Sequence, residues 1–243
     1  MAKRLLDLIV SSIALLVFSP LLIVVCFLVW LQDYHSPFYI APRVGKKEKM
    51  FKMIKIRSMV INADKSGVDS TSNNDRRITG VGRFIRKFKL DEISQLINVF
   101  IGDMSLVGPR PNVKRETDMY TPAEKKLLVG KPGITDFASI VFSDEGDILK
   151  DSKDPDLDYN QIIRPWKSRL ALANLEHSSL VLDLKVLVLT AVAIVDKSKA
   201  LAGLVSTLEA LKVDPELIRV AKRHEPLQKA PPPGASEIVT SRI

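Results

Sequence analysis

The sequence predicts an α+β protein, mostly helical, in which a re-entrant membrane helix leads into a small β-hairpin and then into several helices, some amphipathic, at the cytosolic membrane face. Three observations carry this expectation. Residues 8–31 are almost continuously apolar. Two short runs rich in β-formers, 37–42 and 50–57, flank Val44, Gly45 and a charged stretch, which is the pattern of a hairpin. Leu90, Ile93, Leu96, Ile97 and Phe100 recur three or four apart, and a second helical pattern begins at Tyr159.

Lys3, Arg4 and Asp7 precede the apolar run, and only Ser11, Ser12, Ser19 and Pro20 interrupt it. Its length could span a bilayer, which takes about 20 residues. Pro20 lacks an amide donor and crowds the carbonyl one turn back, and Ser19 can bond the carbonyl so freed, so a helix-break-helix is expected. Each half then measures roughly 17 Å, about half the hydrocarbon thickness. Arg43, Lys46, Lys47, Lys49, Lys52, Lys55 and Arg57 come after the run. A segment that enters and leaves one leaflet puts both basic flanks on the cytosolic side. A plain transmembrane anchor stays open as the alternative. No small-residue cleavage site succeeds the run, which argues against a signal peptide.

With 243 residues there is room for one ordinary domain plus attachments. The formal net charge of +8 points to anionic partners, and the 6% aromatic content, with no basic stripe interleaved with stacking residues, argues against nucleic acid. Acidic membrane lipids and phosphorylated substrates remain. Cys26 is the only cysteine and can form no intramolecular disulfide, in keeping with a reducing compartment. His35, His177 and His224 are scattered without metal-ligand spacing. Residues 62–74 are polar and read as a mobile loop.

The densest chemistry lies at 83–111, RFIRKFKLDEISQLINVFIGDMSLVGPRP. The periodic run ends at Gly102, where a left-handed cap is expected, so Asp91 and Glu92 open a helix. Its first turn favours carboxylates and bound phosphate alike. Ordinary capping chemistry would explain the acidic pair by itself. The loop beyond Gly102 shifts the balance: Arg110 stands between Pro109 and Pro111, which fix their own backbone, and a pre-organised arginine suits bidentate phosphate contact. Arg76, Arg77, Arg83, Arg86, Lys87 and Lys89 add positive charge upstream. No Walker or Gly-x-Gly-x-x-Gly loop occurs, which leaves the GPRP loop as the candidate nucleotide-binding device.

The string LDEISQLINVFIGDMSLVGPRP resembles the signature of the bacterial monotopic phosphoglycosyl transferases, or bacterial sugar transferases, and with gaps the resemblance runs from Lys3 to about Val195. It implies transfer of a phosphosugar from a UDP-sugar to undecaprenyl phosphate with release of UMP, beginning a surface glycan. Asp91 is then the nucleophile, Glu92 a metal ligand or proton-handling partner, and Mg²⁺ the cofactor held at Asp91 and Glu92. FKMIKIRSM resembles the basic motif after the family hairpin and brings Lys55 and Arg57 near the active site, while Arg86 matches a phosphate-binding arginine. Ser19 and Pro20 match the membrane break. The implied location is the bacterial inner membrane, with catalysis on the cytosolic face; a homodimer is left open. The alternative is a catalytically inactive membrane scaffold of the same fold.

After Pro132, Gly133, Ile134 and Thr135 the chain departs from the commonest family pattern with Asp136, Phe137, Ala138 and Ser139, and then with the acidic FSDEGDILKDSKDPD. This leaves the sugar open rather than the reaction. Asp144, Glu145 and Asp147 read as a solvated acidic loop in preference to a second metal site. NLEHSSLVLDLKVLVLT resembles the closing family motif, and 180–195, with Asp183 and Lys185, reads as an interfacial amphipathic helix. The expected segments are a membrane helix-break-helix at 1–35, a catalytic domain at 36–198, a helical extension at 199–226 broken at Asp214-Pro215, and a disordered tail at 227–243.

Overall fold

The structure is a computed structural model, and it describes residues 2–66, 71–72 and 74–241. Helix α1 (Ala2–Leu31) carries the apolar run. It is not interrupted at Pro20. Ser19 Oγ donates to the Leu16 carbonyl at 2.8 Å, which satisfies the acceptor that proline cannot reach, so the helix continues where a break was expected. Both ends of α1 are tied to one body. At its start Lys3 pairs with Asp183 at 2.5 Å, and Arg4 donates to the Val99 and Phe100 carbonyls. At its end Val25 and Val29 are buried against Ile56, Ile85 and Leu90, and Asp33, just beyond, pairs with Arg57. Between them Leu16, Val17 and Phe18 are exposed, Leu16 to 76%. A segment with both ends docked on one body and an apolar middle open to its surroundings has the re-entrant arrangement expected.

Strands β1 (Phe38–Val44) and β2 (Met50–Ile56) pair antiparallel as the hairpin. A hairpin has two free edges, and one is covered by side chains of the next helices. Those helices are α2 (Gly80–Lys87), α3 (Leu90–Ile93) and α4 (Gln95–Ile101). Asn98 accepts from the Ile54 amide at 2.9 Å and donates to the Lys52 carbonyl at 2.8 Å, while Ser94 donates to the Ile54 carbonyl at 3.1 Å. This is why Ser94 and Asn98 are buried, whereas Phe100, expected on the apolar face, is exposed with Ile101. Gly102 ends α4 with a φ of 102°, as its cap position requires. Of the polar stretch read as a mobile loop, 63–66 form a single 3₁₀ turn, and 67–70 and 73 lie outside the described residues.

Of the segment after Gly102 read as a loop, Ser105–Val107 is strand, and the GPRP part beyond it is loop. Strand β3 (Ser105–Val107) pairs in parallel with β4 (Gly133–Thr135), with α5 (Lys114–Asp118) and a 3₁₀ turn at Glu124–Leu128 between them. Gly108 and Gly133 touch backbone to backbone: a Cβ on Gly133 would lie 2.1 Å from the Gly108 nitrogen. Only glycine fits there.

Helices α6 (Phe137–Val141), α7 (Glu145–Ile148), α8 (Pro155–Asp158), α9 (Arg164–Glu176), α10 (Leu180–Val195), α11 (Lys197–Ala210) and α12 (Pro215–Lys222) follow, with a π-helical turn at Tyr159–Ile163 leading into α9. Asp136, Asp154, Ser179, Asp196 and Asp214 cap α6, α8, α10, α11 and α12 respectively with side-chain acceptors, and Pro215 opens α12 at the break read from the sequence. The short α6 is the centre of the core, with Phe137, Ile140 and Val141 packed among residues of α4, α9, α10 and α11. Helix α10 buries Leu182, Val186 and Leu189 and exposes Leu184, Val188 and Val195, so apolar groups lie on both its faces.

The carboxyl end corrects the expectation of a disordered tail. Gln228, Pro233 and Val239 offer carbonyls to Trp166 Nε1, Thr121 Oγ1 and Gln161 Nε2. The Ala230 amide donates to the Gln161 carbonyl at 3.0 Å, and Ala230 is buried. That carbonyl is free because Pro165, four residues on, has no amide hydrogen to give it. The tail is thus bound as an extended strap by hydrogen bonds that its composition did not advertise.

Candidate active site

Because Asn98 and Ser94 fasten α3 and α4 to β2, the first turn of α3 is brought beside Lys55 of that strand. Lys89 enters α3 in the left-handed region at φ 52°, a conformation that costs a non-glycine residue about 1 kcal/mol or more. It sets Asp91 and Glu92 at the head of the helix. The other half of the site is the loop after β3. Gly108 donates to Thr135, Gly133 donates to Pro109, and Val44 of β1 donates to Asn112, so the loop is fixed on both sides. Pro109 and Pro111 are buried and Arg110 is half-buried between them. Arg110 reaches Glu92 with a hydrogen bond of 2.8 Å.

One cavity is lined by Lys55, Arg86, Asp91, Glu92 and Arg110. Lys55, Arg86, Glu92 and Arg110 are all close enough to Asp91 to act on its carboxyl. Arg57, the sixth charged residue singled out from the sequence, lines the same large cavity but is already paired. Its guanidinium donates to both oxygens of Asp33 at 2.5 and 2.7 Å and to the Ser36 carbonyl at 2.9 Å, so it fastens the exit of α1. Arg77 is likewise held by Asp75.

Electrostatics separates the two carboxylates. Burial pushes the Asp91 carboxyl above its ordinary range, against the pull of Lys55, and the neighbouring Glu92 charge pushes the same way. Burial acts on Glu92 too, but Arg110, Lys89 and Lys55 outweigh it and hold that carboxyl down at about 2. Lys55 is itself lowered to about 8, by burial first and by Arg110 next. Glu92 is thus committed to its arginine, whereas Asp91 is the less stabilised anion and the better base or nucleophile. Neighbouring groups whose environments drive their pKa values apart commonly divide roles this way.

The bacterial sugar transferase family matches residues 1–197. The chain belongs to that family. Among its relatives, an exopolysaccharide production protein, ExoY, of Rhizobium meliloti (strain 1021) is 39% identical over 150 residues, covering 56% of this chain and 66% of that one. An undecaprenyl-phosphate galactose phosphotransferase of Salmonella typhimurium (strain LT2) is 41% identical over 148 residues, 55% of this chain and 31% of that one. A UDP-glucose:undecaprenyl-phosphate glucose-1-phosphate transferase of Klebsiella pneumoniae is 35% identical over 193 residues, 77% and 39%. These alignments span about a third to two thirds of the length of those relatives. Helix α1 is long and apolar enough to cross a membrane, and with the family assignment it marks this sugar transferase as membrane-associated.

Sequence reading missed part of the cavity wall. Glu145, Tyr159 and Lys167 also line it, and Asp136 lies close enough for Lys167 and Arg110 to act on its carboxyl. Glu145 stands in the acidic stretch expected to be solvated, yet it pairs with Lys167 at 2.5 Å, and Asp144 takes Lys197 at 2.6 Å and Arg223 at 3.1 Å. Lys167 gave no signal, being one cation in a helical run. Asp7, by its position a mere flank of the apolar run, is buried, accepting from Ser105 Oγ at 2.9 Å and the Leu106 amide at 3.0 Å, just ahead of the GPRP loop. Among the described residues no group of three acidic, cysteine or histidine side chains is placed to hold a metal.

Proposed function

We propose that this protein transfers a phosphosugar from a UDP-sugar to undecaprenyl phosphate at the cytosolic face of the bacterial inner membrane, by way of a phosphosugar carried on Asp91. The arrangement of Asp91 among Lys55, Arg86 and Arg110 is the observation that supports this most, because an anion can approach a diphosphate only where cations offset the repulsion. An Asp91 oxygen attacks the β-phosphorus, the bond to the bridging oxygen breaks, and UMP leaves with its electron pair. A phosphate oxygen of undecaprenyl phosphate then attacks the same phosphorus and expels the Asp91 carboxylate, giving the diphosphate-linked sugar. Two displacements let two anionic substrates use one site in turn.

Arg110, gripped by Glu92, is pre-aimed at the diphosphate, and Lys55 and Arg86 supply the remaining charge. Arg110 bonds one oxygen of Glu92, and the other oxygen together with Asp91 would give hard donors for Mg²⁺, an ion commonly held by one or two carboxylates together with substrate phosphates. When bound, it supplies Lewis-acid neutralisation of the diphosphate. The names of the relatives support undecaprenyl phosphate as acceptor. The intact set of Asp91, Glu92 and Arg110 counts against an inactive scaffold.

Asp91→Asn is expected to abolish UMP release while the protein stays folded and membrane-bound, and mass spectrometry of the unsubstituted chain treated with UDP-sugar alone is expected to find the phosphosugar adduct. Near-normal activity in Asp91→Asn removes the nucleophile from the scheme. A chelator should stop UMP release and added Mg²⁺ restore it.

A further inference from the structure

The pair Glu145–Lys167 is a built feature of the cavity that the proposed chemistry leaves unused. Lys167 comes from α9 and Glu145 from the single turn of α7, and their side chains are 16% and 30% exposed, open to the cavity that holds Asp91. Helix α7 is braced from behind. Asp144, the residue before it, is clasped by Lys197 at the start of α11 and by Arg223 at the end of α12, and Leu149 after it is buried. Arg223 lies beyond the family match, so part of this bracing comes from the chain's own extension.

A carboxylate on this wall is a poor neighbour for a diphosphate and a good one for hydroxyl groups, which donate to it, while the adjacent ammonium donates back to sugar oxygens. The uracil ring offers no hydroxyls and the ribose only its 2′ and 3′ pair. A hexose offers a cluster of them. Resting on the transferase reading above, we propose that Glu145 and Lys167 bind the hydroxyls of the donor sugar and so decide which phosphosugar is transferred. Asp144, Lys197 and Arg223 act as positioning residues that keep Glu145 at its post.

The test uses the full chain in detergent or nanodiscs with undecaprenyl phosphate, comparing UDP-glucose, UDP-galactose and their N-acetylated counterparts by UMP release, with UDP as a sugar-free inhibitor. In Glu145→Gln and Lys167→Met, KM for the preferred donor should rise by about 10- to 100-fold and the ranking of sugars should flatten, because buried polar groups lose their partners. Inhibition by UDP should stay within about twofold, since UDP carries no hexose. Unchanged ranking and KM overturn the inference, and so does a parallel loss of UDP affinity, which a purely structural ion pair would produce. Glu145→Asp and Lys167→Arg keep the charges and carry the same test where the first variants fail to fold: an altered ranking supports the assignment and an unaltered one overturns it. If the unsubstituted protein releases no UMP from any donor, the transferase reading falls and takes the inference with it. Release with an unmoved ranking sinks the inference alone.

Discussion

In the proposed transfer reaction Lys55 should produce a basic limb that a surface lysine could not. Its ammonium is lowered from 10.5 to about 8 by burial and by Arg110. At pH 7 about nine molecules in ten then carry the charge, and at pH 9 about one in ten. If that charge helps the diphosphate reach Asp91, kcat/KM, which reports the free enzyme, should be level up to about pH 8 and fall close to tenfold per unit above it. Lys55→Arg keeps the charge on a group that does not titrate in this range, so whatever activity survives should show no such limb. The assay is UMP release at donor concentrations well below KM, from pH 5.5 to 10, in buffers of matched ionic strength. The sign is fixed by the structure: activity is lost as the proton leaves. At the other end Asp91 must be ionised, and its raised carboxyl places the acid limb above the ordinary range for aspartate. A limb near 8 that persists unchanged in Lys55→Arg refutes the role given to this lysine.

Two further expectations concern stability. Glu124 is fully buried and accepts from Arg164 at 3.0 and 2.6 Å and from Ser168 at 2.8 Å, so Glu124→Ala strands a buried guanidinium and should cost about 3–5 kcal/mol. For a chain of this size that is a Tm lower by roughly 6–20 °C in a thermal-shift measurement, and an unchanged Tm would show the pair to be dispensable. Asp7→Ala leaves the Ser105 hydroxyl and Leu106 amide without their acceptor and should cost about 2–4 kcal/mol, read as faster protease cleavage at the start of α1; cleavage at the parent rate would show that this contact does not hold the helix.

Much of this molecule was readable in its residues, where the signal was local. The hairpin, the helical start at Asp91 and Glu92, the glycine that closes α4 and the Asp214-Pro215 break each depend on a few neighbours with strong backbone preferences. The acidic pair and Arg110 were found because their surroundings in the chain are as unusual as their surroundings in space. What escaped was set at long range. Asn98 occupies a core position because a strand edge some 44 residues earlier needs its amide. Glu145 is paired because α9 delivers Lys167, and the last residues are ordered because Pro165 leaves a carbonyl unclaimed. Arg57 looked equivalent to Lys55, two positions before it; only the fold shows that Asp33 claims one and the acidic pair draws the other.

Lys55 and Arg57 share strand β2 and its end, about 7 Å apart along the chain, so the cation proposed to serve the diphosphate and the clasp holding the long apolar helix ride on one rigid rod. The height at which the helix settles in the bilayer is therefore also the height of the reaction centre. For the proposed acceptor, a polyprenyl phosphate, this coupling would let the phosphate reach Asp91 while the tail stays in the oil.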